Sequence, residues 1–498
     1  MALRNYIRIE VVQAVKKQDS ALVREVRAHD VPTWWRDAKL GIFVHWTPAS
    51  VPAFAPNGEE IGELLGAGRK DALAYSPYTE WYENSLRFPN SPVAKHHKAT
   101  YGDKPYRDFT KDWEEGLANW DPAEWATRFA ATGARYIVFV TKHHDGYCLW
   151  PSDVKNPHVP GLFSKRDVVG ELADAVRAKG MRFGVYYSGG LDWTFNPHPI
   201  GRVSDLAVGQ PRGEYVEYAD AQVRELIDRY QPSVLWNDIS WPGDTVALAR
   251  LLRDYYKALP DGVVNDRFMP YSRLWAAVKS RPGRLAIDKI ALKSAKADKG
   301  IVPPKPPLFD VRTPEYATFE HIEKTPWECV RGIDKSFGYN RDSVEADFLT
   351  HSDLLWMVID IASKNGNLLL NVGPRGEDAT IADEQIVRLD WLAQFRTTLE
   401  AALVGTRPWV VPQSANEGPV EIRYTARDRS VFAFVRGLEQ SSQVCLSEVS
   451  STATTVVRDA AGAEIAWKMT DDGLVIDSES RVDPAIPMVI EMVDVTAW

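Results

Sequence analysis

The sequence predicts an α/β protein in which a TIM-like (β/α) barrel domain is followed by a C-terminal antiparallel β-sandwich domain. Three observations point there. From about residue 31 to 400, apolar runs of strand length alternate with amphipathic stretches of helical length. Each run turns polar or aromatic at its end. After about residue 400 the pattern changes to strict apolar–polar alternation broken by turns. At 498 residues the chain is too long for one core of ordinary size, so a large barrel with a smaller companion is the natural division.

In chain order, residues 1–30 are expected to form an N-terminal helical arm. Residues 31–400 form the barrel, with 269–312 as an insertion loop, and residues 401–498 form the sandwich. The strand runs are LGIFVHW (40–46), RYIVFVTKHHD (135–145), RFGVYYSGGLDW (182–193), SVLWND (233–238), GVVNDR (262–267) and GNLLLNVGP (366–374). Between them lie helical stretches such as PAEWATRFAATGA, DVVGELADAVRAKG and YADAQVRELIDRY. The second ends in a basic turn and a glycine, the usual signs of a helix C-terminus. Runs that are apolar throughout belong to strands buried on both faces, hence to a parallel sheet. Six such units favour closure into a barrel over an open doubly wound sheet. No glycine-rich phosphate loop follows the first run, which weighs against a dinucleotide fold. The insertion, with KSAKADKGIVPPKPPLF, is basic and proline-containing and reads as a mobile surface loop. GPVEIRYTARDRSVFAFVRG and DPAIPMVIEMVDVTAW read as sandwich strands, in a structural or a weakly sugar-binding domain.

Composition excludes several classes. A net charge of −9 argues against nucleic acid as a main partner, since phosphate binding needs a basic face. No window approaches the roughly 20 apolar residues of a membrane span, and MALRNYIRIEVVQAVKKQDS lacks a secretory apolar stretch. The three cysteines, Cys148, Cys329 and Cys445, are an odd and scattered set that suggests neither disulfides nor zinc. A cytoplasmic protein is the expectation; oligomeric state is not legible. The 18 tryptophans serve either a large core or platforms around a ligand.

In a (β/α) barrel the reactive groups stand at the carboxyl ends of the strands. Here the run ends supply His45, His143, His144, Tyr186, Asp192, Trp236, Asp238, Asn265, Asp266 and Arg267. Neutral donors and acceptors, one cation and flat apolar faces suit a polyhydroxylated ring better than a phosphate. A metal site usually needs histidines one residue apart on a strand, whereas His143 and His144 are adjacent and converge only if their strand has already ended; none is expected. His96 and His97 fall in a loop-like stretch and are expected to be solvated. Cleaving a glycosidic bond takes two carboxyl groups, one on each side of it. Asp238, at a strand tip between Trp236 and Trp241, is the candidate nucleophile, its alternative being a cap for the next helix. Glu315, Glu328 and Glu80 are candidates for the second carboxyl.

Taken together, AKLGIFVHW, TEWYENS, VTKHHDGYCLWPSDV, FGVYYSGGLDW, VLWND, VNDRF, WECVRGIDKSFGYNR and SKNGNLLLNVGP resemble the α-L-fucosidases of glycoside hydrolase family 29, in order over about residues 34–374. The resemblance implies a retaining exo-glycosidase that needs no cofactor and acts on fucosylated oligosaccharides or glycoconjugates. It implies Asp238 as nucleophile and Glu315, in a T-x-E-Y stretch, as general acid/base, with Glu328 as runner-up. It assigns the sugar hydroxyls to His45, Glu80, Trp81, His143, His144, Tyr186, Trp236 and Arg267, and the methyl group of the deoxysugar to Phe337. Thr47 stands where many relatives have glycine. A non-catalytic sugar-binding homologue, or a glycosidase for a related sugar such as a galactoside, are the alternatives.

Overall fold

The computed structural model describes residues 19–271, 280–294, 300–414, 420–438, 443–477 and 485–497. Most of the expected N-terminal arm, residues 1–18, lies outside them; residues 19–27 are helical.

Among the described residues, seven parallel strands form the barrel wall: β1 (Leu40–Val44), β2 (Tyr136–Lys142), β3 (Arg182–Tyr187), β4 (Val234–Asn237), β5 (Val263–Val264), β6 (Trp327–Gly332) and β7 (Gly366–Val372). Their spatial order is β5-β4-β3-β2-β1-β7-β6, which leaves β5 and β6 as the two edges. An extended segment at residues 310–316 spans that gap. Val311 pairs with Asn265 beyond β5, and Arg312 and Glu315 pair with Trp327 and Val330 of β6, all in parallel sense. The wall therefore closes through a seam of isolated bridges in place of an eighth full strand.

Both faces of the wall are apolar because both are covered. Phe43, Val138, Val140, Tyr186, Trp236, Val330 and Leu369 point into the lumen. Their neighbours Ile42, Val44, Phe139, Val185, Leu235, Cys329 and Leu370 face the surrounding helices. The two-residue period of a strand thus sorts each run into an inner and an outer layer. Gly41 is needed in β1, since a Cβ there would stand 2.5 Å from the Tyr136 ring. The helix Val168–Ala178 shows the outer layer's logic: Asp167 caps it by accepting from the Gly170 N–H, and Val168, Val169, Leu172, Ala173 and Val176 are its buried stripe. Much of the tryptophan is outer core: Trp46 packs on Trp113, Trp120 and Trp125 at 4.7–5.5 Å.

Two expectations need correction, and one strand went unread. TPWECVRG, which carries Glu328 and is not among the strand runs read from the sequence, is strand β6; its polar residues hid a strand that is buried except at Arg331. The 269–312 insertion is not simply a mobile surface loop: Arg281–Ser294 is a helix, packed against the helices Val203–Gly209 and Ile61–Gly66. Gly283, Arg284, Ile287, Asp288, Ala291 and Leu292 are its less exposed residues, a helical stripe that the lysines and proline obscured. The insertion's end, with Leu308 and Val311 buried, enters the barrel wall; residues 272–279 and 295–299 lie outside the described ones. His96 and His97 sit on the helix Pro92–Tyr101, not a loop. His97 is buried between the Tyr82 hydroxyl (2.9 Å) and the Lys104 carbonyl (2.8 Å), and His96 stacks on Phe54.

Among its described residues the C-terminal part has two antiparallel sheets: one of five strands in the order β12 (Val449–Asp459), β15 (Met488–Ala497), β10 (Ser430–Arg436), β9 (Glu421–Arg427) and β8 (Arg407–Gln413), and one of three in the order β11 (Gln443–Leu446), β14 (Gly473–Asp477) and β13 (Trp467–Thr470). In β10 (Ser430–Arg436), Val431, Ala433 and Val435 fill the space between the sheets with Leu446 and Ile476. Phe432 and Phe434, on the other face, join the barrel's outer core. Arg423 of β9 (Glu421–Arg427) reaches Asp360 on the barrel helix His351–Ser363 at 2.5 Å. Among the described residues, no helix is long and apolar enough to cross a membrane.

Candidate active site

The strand ends converge on a cavity of about 170 Å³ at the carboxyl end of the barrel, lined by His45, Tyr78, Glu80, Trp81, His143, Tyr186, Trp236, Asp238, Arg267, Glu315 and Phe337 with several aliphatic residues. With about 30 Å³ per water, that is space for roughly six waters, the scale of one sugar ring. Every residue that the family resemblance assigns to the site lines this cavity except His144, which stands beside it, and Glu328; the strand-end residues Asp192, Asn265 and Asp266 do not line it.

Asp238 arrives there by alternation. Val234 and Trp236 face the lumen while Leu235 faces outward, so residue 238 returns to the inner side just past the end of β4. It caps no helix: Thr245–Ala258 is capped by Asp244. The Asp238 carboxylate accepts from the Tyr186 hydroxyl at 2.8 Å, the Ile239 N–H at 2.8 Å and Arg267 at 3.2 Å. Arg267 lies over the Trp236 ring, and its other terminal nitrogen donates to Glu315 at 2.9 Å. One guanidinium thus joins the two carboxylates across the cavity, while Glu315 also accepts from Tyr78 at 2.7 Å. Both carboxylates precede a non-glycine residue in left-handed backbone, Ile239 (φ 66°) and Tyr316 (φ 50°). For a β-branched isoleucine this is strained, at a cost of about 1–2 kcal/mol, and strain of this kind gathers at functional sites.

Glu328 sits deeper, near the start of β6. It accepts from the Tyr136 hydroxyl and from Trp236 Nε1 (3.3 Å), and burial pushes its carboxyl up to about 7.

The histidines follow a break in the wall. β2 ends at Lys142, and the β2–β3 register shifts between Val140 and Lys142. Strict alternation would send Lys142 inward; the shift turns it out and delivers His143 to the cavity. Lys142 then forms a fully buried ion pair with Asp192 (2.7 Å), beside the rings of Tyr187, Tyr215 and Tyr218. Asp192 also accepts from the Thr194 N–H, and the next residue, Trp193, donates its N–H to the His144 carbonyl at 2.7 Å. The pair therefore fastens the His143–His144 turn to the loop after β3. Removing the cation leaves a buried charge unpaired, so Lys142→Met is expected to lower stability by about 3–5 kcal/mol in chemical denaturation.

Two histidine tautomers follow from their partners. The Asn371 amide nitrogen donates to the Phe337 carbonyl, so its oxygen faces His45 Nδ1 at 2.5 Å, and that nitrogen must carry the proton. Ser188 donates to the Leu191 carbonyl and so accepts from His144 Nδ1 at 2.6 Å. Each ring is left with Nε2 as an acceptor; that of His144 is 3.8 Å from Asp238. Burial holds both imidazoles down at about 3 and drives His143 well below the usual range, so all three are neutral near pH 7.

Glu80 complements them. Burial, reinforced by the nearby Glu315 and Asp238 charges, pushes its carboxyl up to about 8 despite a hydrogen bond from the Gly338 N–H (3.0 Å). It is then a donor at neutral pH. Two sets of metal-ligand type, His45–Glu80–His143 and His143–His144–Asp238, have their atoms within 4.8 Å of one another. A protonated carboxyl between neutral imidazoles suits hydroxyl groups better than a cation. Because Glu80 holds its proton more tightly folded than unfolded, the stability this gives is complete below about pH 4.5 and is lost as pH rises through about 8. Glu80→Gln is expected to flatten that decline in thermal scans from pH 4.5 to 9; an unchanged slope would mean Glu80 is already ionised.

Sequence reading missed Tyr78, Asn371 and Thr313. Tyr78 stands next to the TEWYENS motif, and Asn371 within GNLLLNVGP, where a polar residue near the end of an apolar strand was the available signal. Thr313 accepts from Arg267 Nε at 3.3 Å. Of the other strand-end polar residues, Asn265 bonds the Asn237 backbone and Asp266 bonds Thr313, bracing β4 and the seam. Thr47 caps a short turn through the Ala49 N–H.

A family model described as Alpha-L-fucosidase matches residues 8–398. The tissue alpha-L-fucosidase of Bos taurus is 28% identical over 453 residues, covering 89% of this chain and 83% of that protein. The solved structure of Thermotoga maritima alpha-fucosidase in complex with fucose matches with a TM-score of 0.76 at 35% identity, covering 94% of this chain and 98% of that one. The same enzyme with a mechanism-based inhibitor matches with a TM-score of 0.77 at 36% identity, with the same coverage.

Proposed function

The chain belongs to the α-L-fucosidase family of glycoside hydrolases, and from that premise we propose that it is an exo-acting, retaining enzyme that removes terminal α-L-fucosyl residues from oligosaccharides or glycoconjugates. The observation that carries this reading is the Arg267 guanidinium, bonded at once to Asp238 and Glu315 over a cavity the size of one sugar ring. Asp238 attacks the anomeric carbon while Glu315 protonates the departing oxygen, which gives a covalent fucosyl-enzyme. Glu315, now ionised, takes a proton from water as that water attacks, and fucose leaves with its configuration retained.

The other residues hold the ring. The acceptor nitrogens of His45 and His144 and the protonated Glu80 are complementary partners for sugar hydroxyls, with His143, Trp81 and Arg267 completing the polar side. Tyr186 donates to Asp238 and keeps it aimed. Trp236 and Phe337 supply apolar faces, Phe337 for the methyl group that separates fucose from a galactose-type ring. A closed floor of buried polar groups supports exo action, since a chain has no second exit. This chemistry calls on no cofactor. Catalysis is assigned to residues 31–400 and a supporting role to 401–498, and the described cysteines, which form no disulfide, fit a cytoplasmic site.

The wild-type protein is tested with a chromogenic α-L-fucoside and the matching galactoside, the product anomer being followed by NMR. Turnover of the fucoside with initial release of the α-anomer is expected. Preference for the galactoside would move the reading to the related sugar, and tight binding of fucose without turnover of either would make the protein a sugar-binding homologue.

A further inference from the structure

The cavity changes character from floor to rim. The hydroxyl-binding groups form the buried floor, whereas Leu206, Ile239 and Ile301 also line the cavity and are only partly buried. For a ring seated on that floor, these more exposed side chains would lie on the leaving-group side. They come from three places: the helix Val203–Gly209, the residue after Asp238, and the end of the insertion.

The insertion builds two of them. Its helix Arg281–Ser294 braces the Leu206 helix, Asp288 accepting from the Ser204 N–H (2.9 Å) and hydroxyl (3.0 Å) and Arg284 pairing with Asp205. Ile301 then forms a two-bond antiparallel bridge with Glu315: its N–H donates to the Glu315 carbonyl at 2.8 Å and its carbonyl accepts the Glu315 N–H at 2.7 Å. The opposite edge of this segment is held by β6, where Tyr316 donates to Val330 and Val330 to Pro314. Gly300 makes the approach possible. Its φ is +52°, and a Cβ there would stand 2.3 Å from the Glu315 carbonyl oxygen.

We propose that the end of the insertion, Gly300 and Ile301, is the leaving-group element of the site: its main chain positions Glu315, and the Ile301 side chain with Leu206 and Ile239 forms a subsite for a leaving group that presents an apolar face. The inference rests on the reading of the protein as an α-L-fucosidase with Glu315 as its acid. The leaving groups it fits are aryl groups and the C–H face of a second sugar ring; a small anion such as fluoride uses neither the rim nor the proton.

The test compares a phenyl α-L-fucoside with α-L-fucosyl fluoride on the wild type, Gly300→Ala, Ile301→Ser and Glu315→Ala, with fucose inhibition measured throughout. Gly300→Ala displaces the acid's backbone, and a misplacement of this order is expected to lower kcat/KM, which reports the first step, about 100-fold on the phenyl glycoside while sparing kcat/KM on the fluoride. Ile301→Ser keeps the main chain and loses the wall; KM for the phenyl glycoside is expected to rise about tenfold, with fluoride kinetics and fucose inhibition unchanged. If Gly300→Ala does not fold, Ile301→Ser alone decides. Equal losses of kcat/KM on both substrates, or none on either, overturn the proposal. Failure of the broader reading looks different: the wild type then turns over neither fucoside, or Glu315→Ala keeps its activity on the phenyl glycoside.

Discussion

Asp238→Ala is expected to lose at least about four orders of magnitude in turnover of an aryl α-L-fucoside, since a nucleophile acting in concert with its partners is not replaced by the remaining groups. The loss falls on every leaving group alike, fluoride included, because the bond to the anomeric carbon is formed whatever departs. Added azide restores part of the rate. It enters from the face the carboxylate has vacated and gives a fucosyl azide of inverted configuration. The local structure makes this a clean test of chemistry. Asp238 follows a four-residue strand that pairs with β3 on one side and β5 on the other, so the wall has no need of its side chain. Removing it also leaves Arg267 paired with Glu315, so no bare cation remains. Retention of more than a hundredth of wild-type activity, or a retained azide product, would shift the nucleophile elsewhere.

Glu315→Ala is expected to behave differently in each half of the reaction. On a poor leaving group the first step slows by about 10²–10⁴-fold, the usual worth of general acid catalysis. On an activated leaving group, which departs without a proton, the first step is nearly normal. The fucosyl-enzyme then accumulates, because no base draws a proton from water, and a burst of released aglycone precedes a slow steady state. Azide needs no base, so it discharges the intermediate and yields a product of retained configuration. Glu328→Ala is the control. Its carboxyl is enclosed by Tyr136 and Trp236 below the cavity, so its loss affects folding and the pose of Trp236 but keeps the leaving-group dependence of the wild type. If instead Glu328→Ala abolishes that dependence and Glu315→Ala preserves it, the two roles exchange.

The part of this molecule legible in the sequence was the part fixed by burial on two faces. β1, β2, β3, β4, β5 and β7 read directly, because a strand covered inside and out must be apolar throughout. β6 did not, since Glu328 interrupts it, and only the tertiary structure supplies the Tyr136 and Trp236 donors that make a buried carboxyl tolerable there. The seam at 310–316 was illegible for another reason: it pairs one residue at a time, and no periodicity survives in single bridges. Within the site, the strand-tip residues were recoverable because a strand end in a barrel has one place to go. Tyr78 and Thr313 come from loops, and their contacts to Glu315 and Arg267 span 237 and 46 residues of sequence, distances at which spacing carries no information. The adjacent histidines were ambiguous until the register shift in β2 showed that the strand ends before them.

The seam gives the two halves of the chemistry unequal scaffolding. Asp238 inherits the stiffness of a continuous ladder, whereas Glu315 inherits whatever stiffness an inserted stretch of chain can lend it. Length and sequence in that stretch are therefore free to drift, by descent or by engineering, without disturbing the grip on the sugar. Such a protein evolves new tastes for what is released long before it learns to accept a different guest.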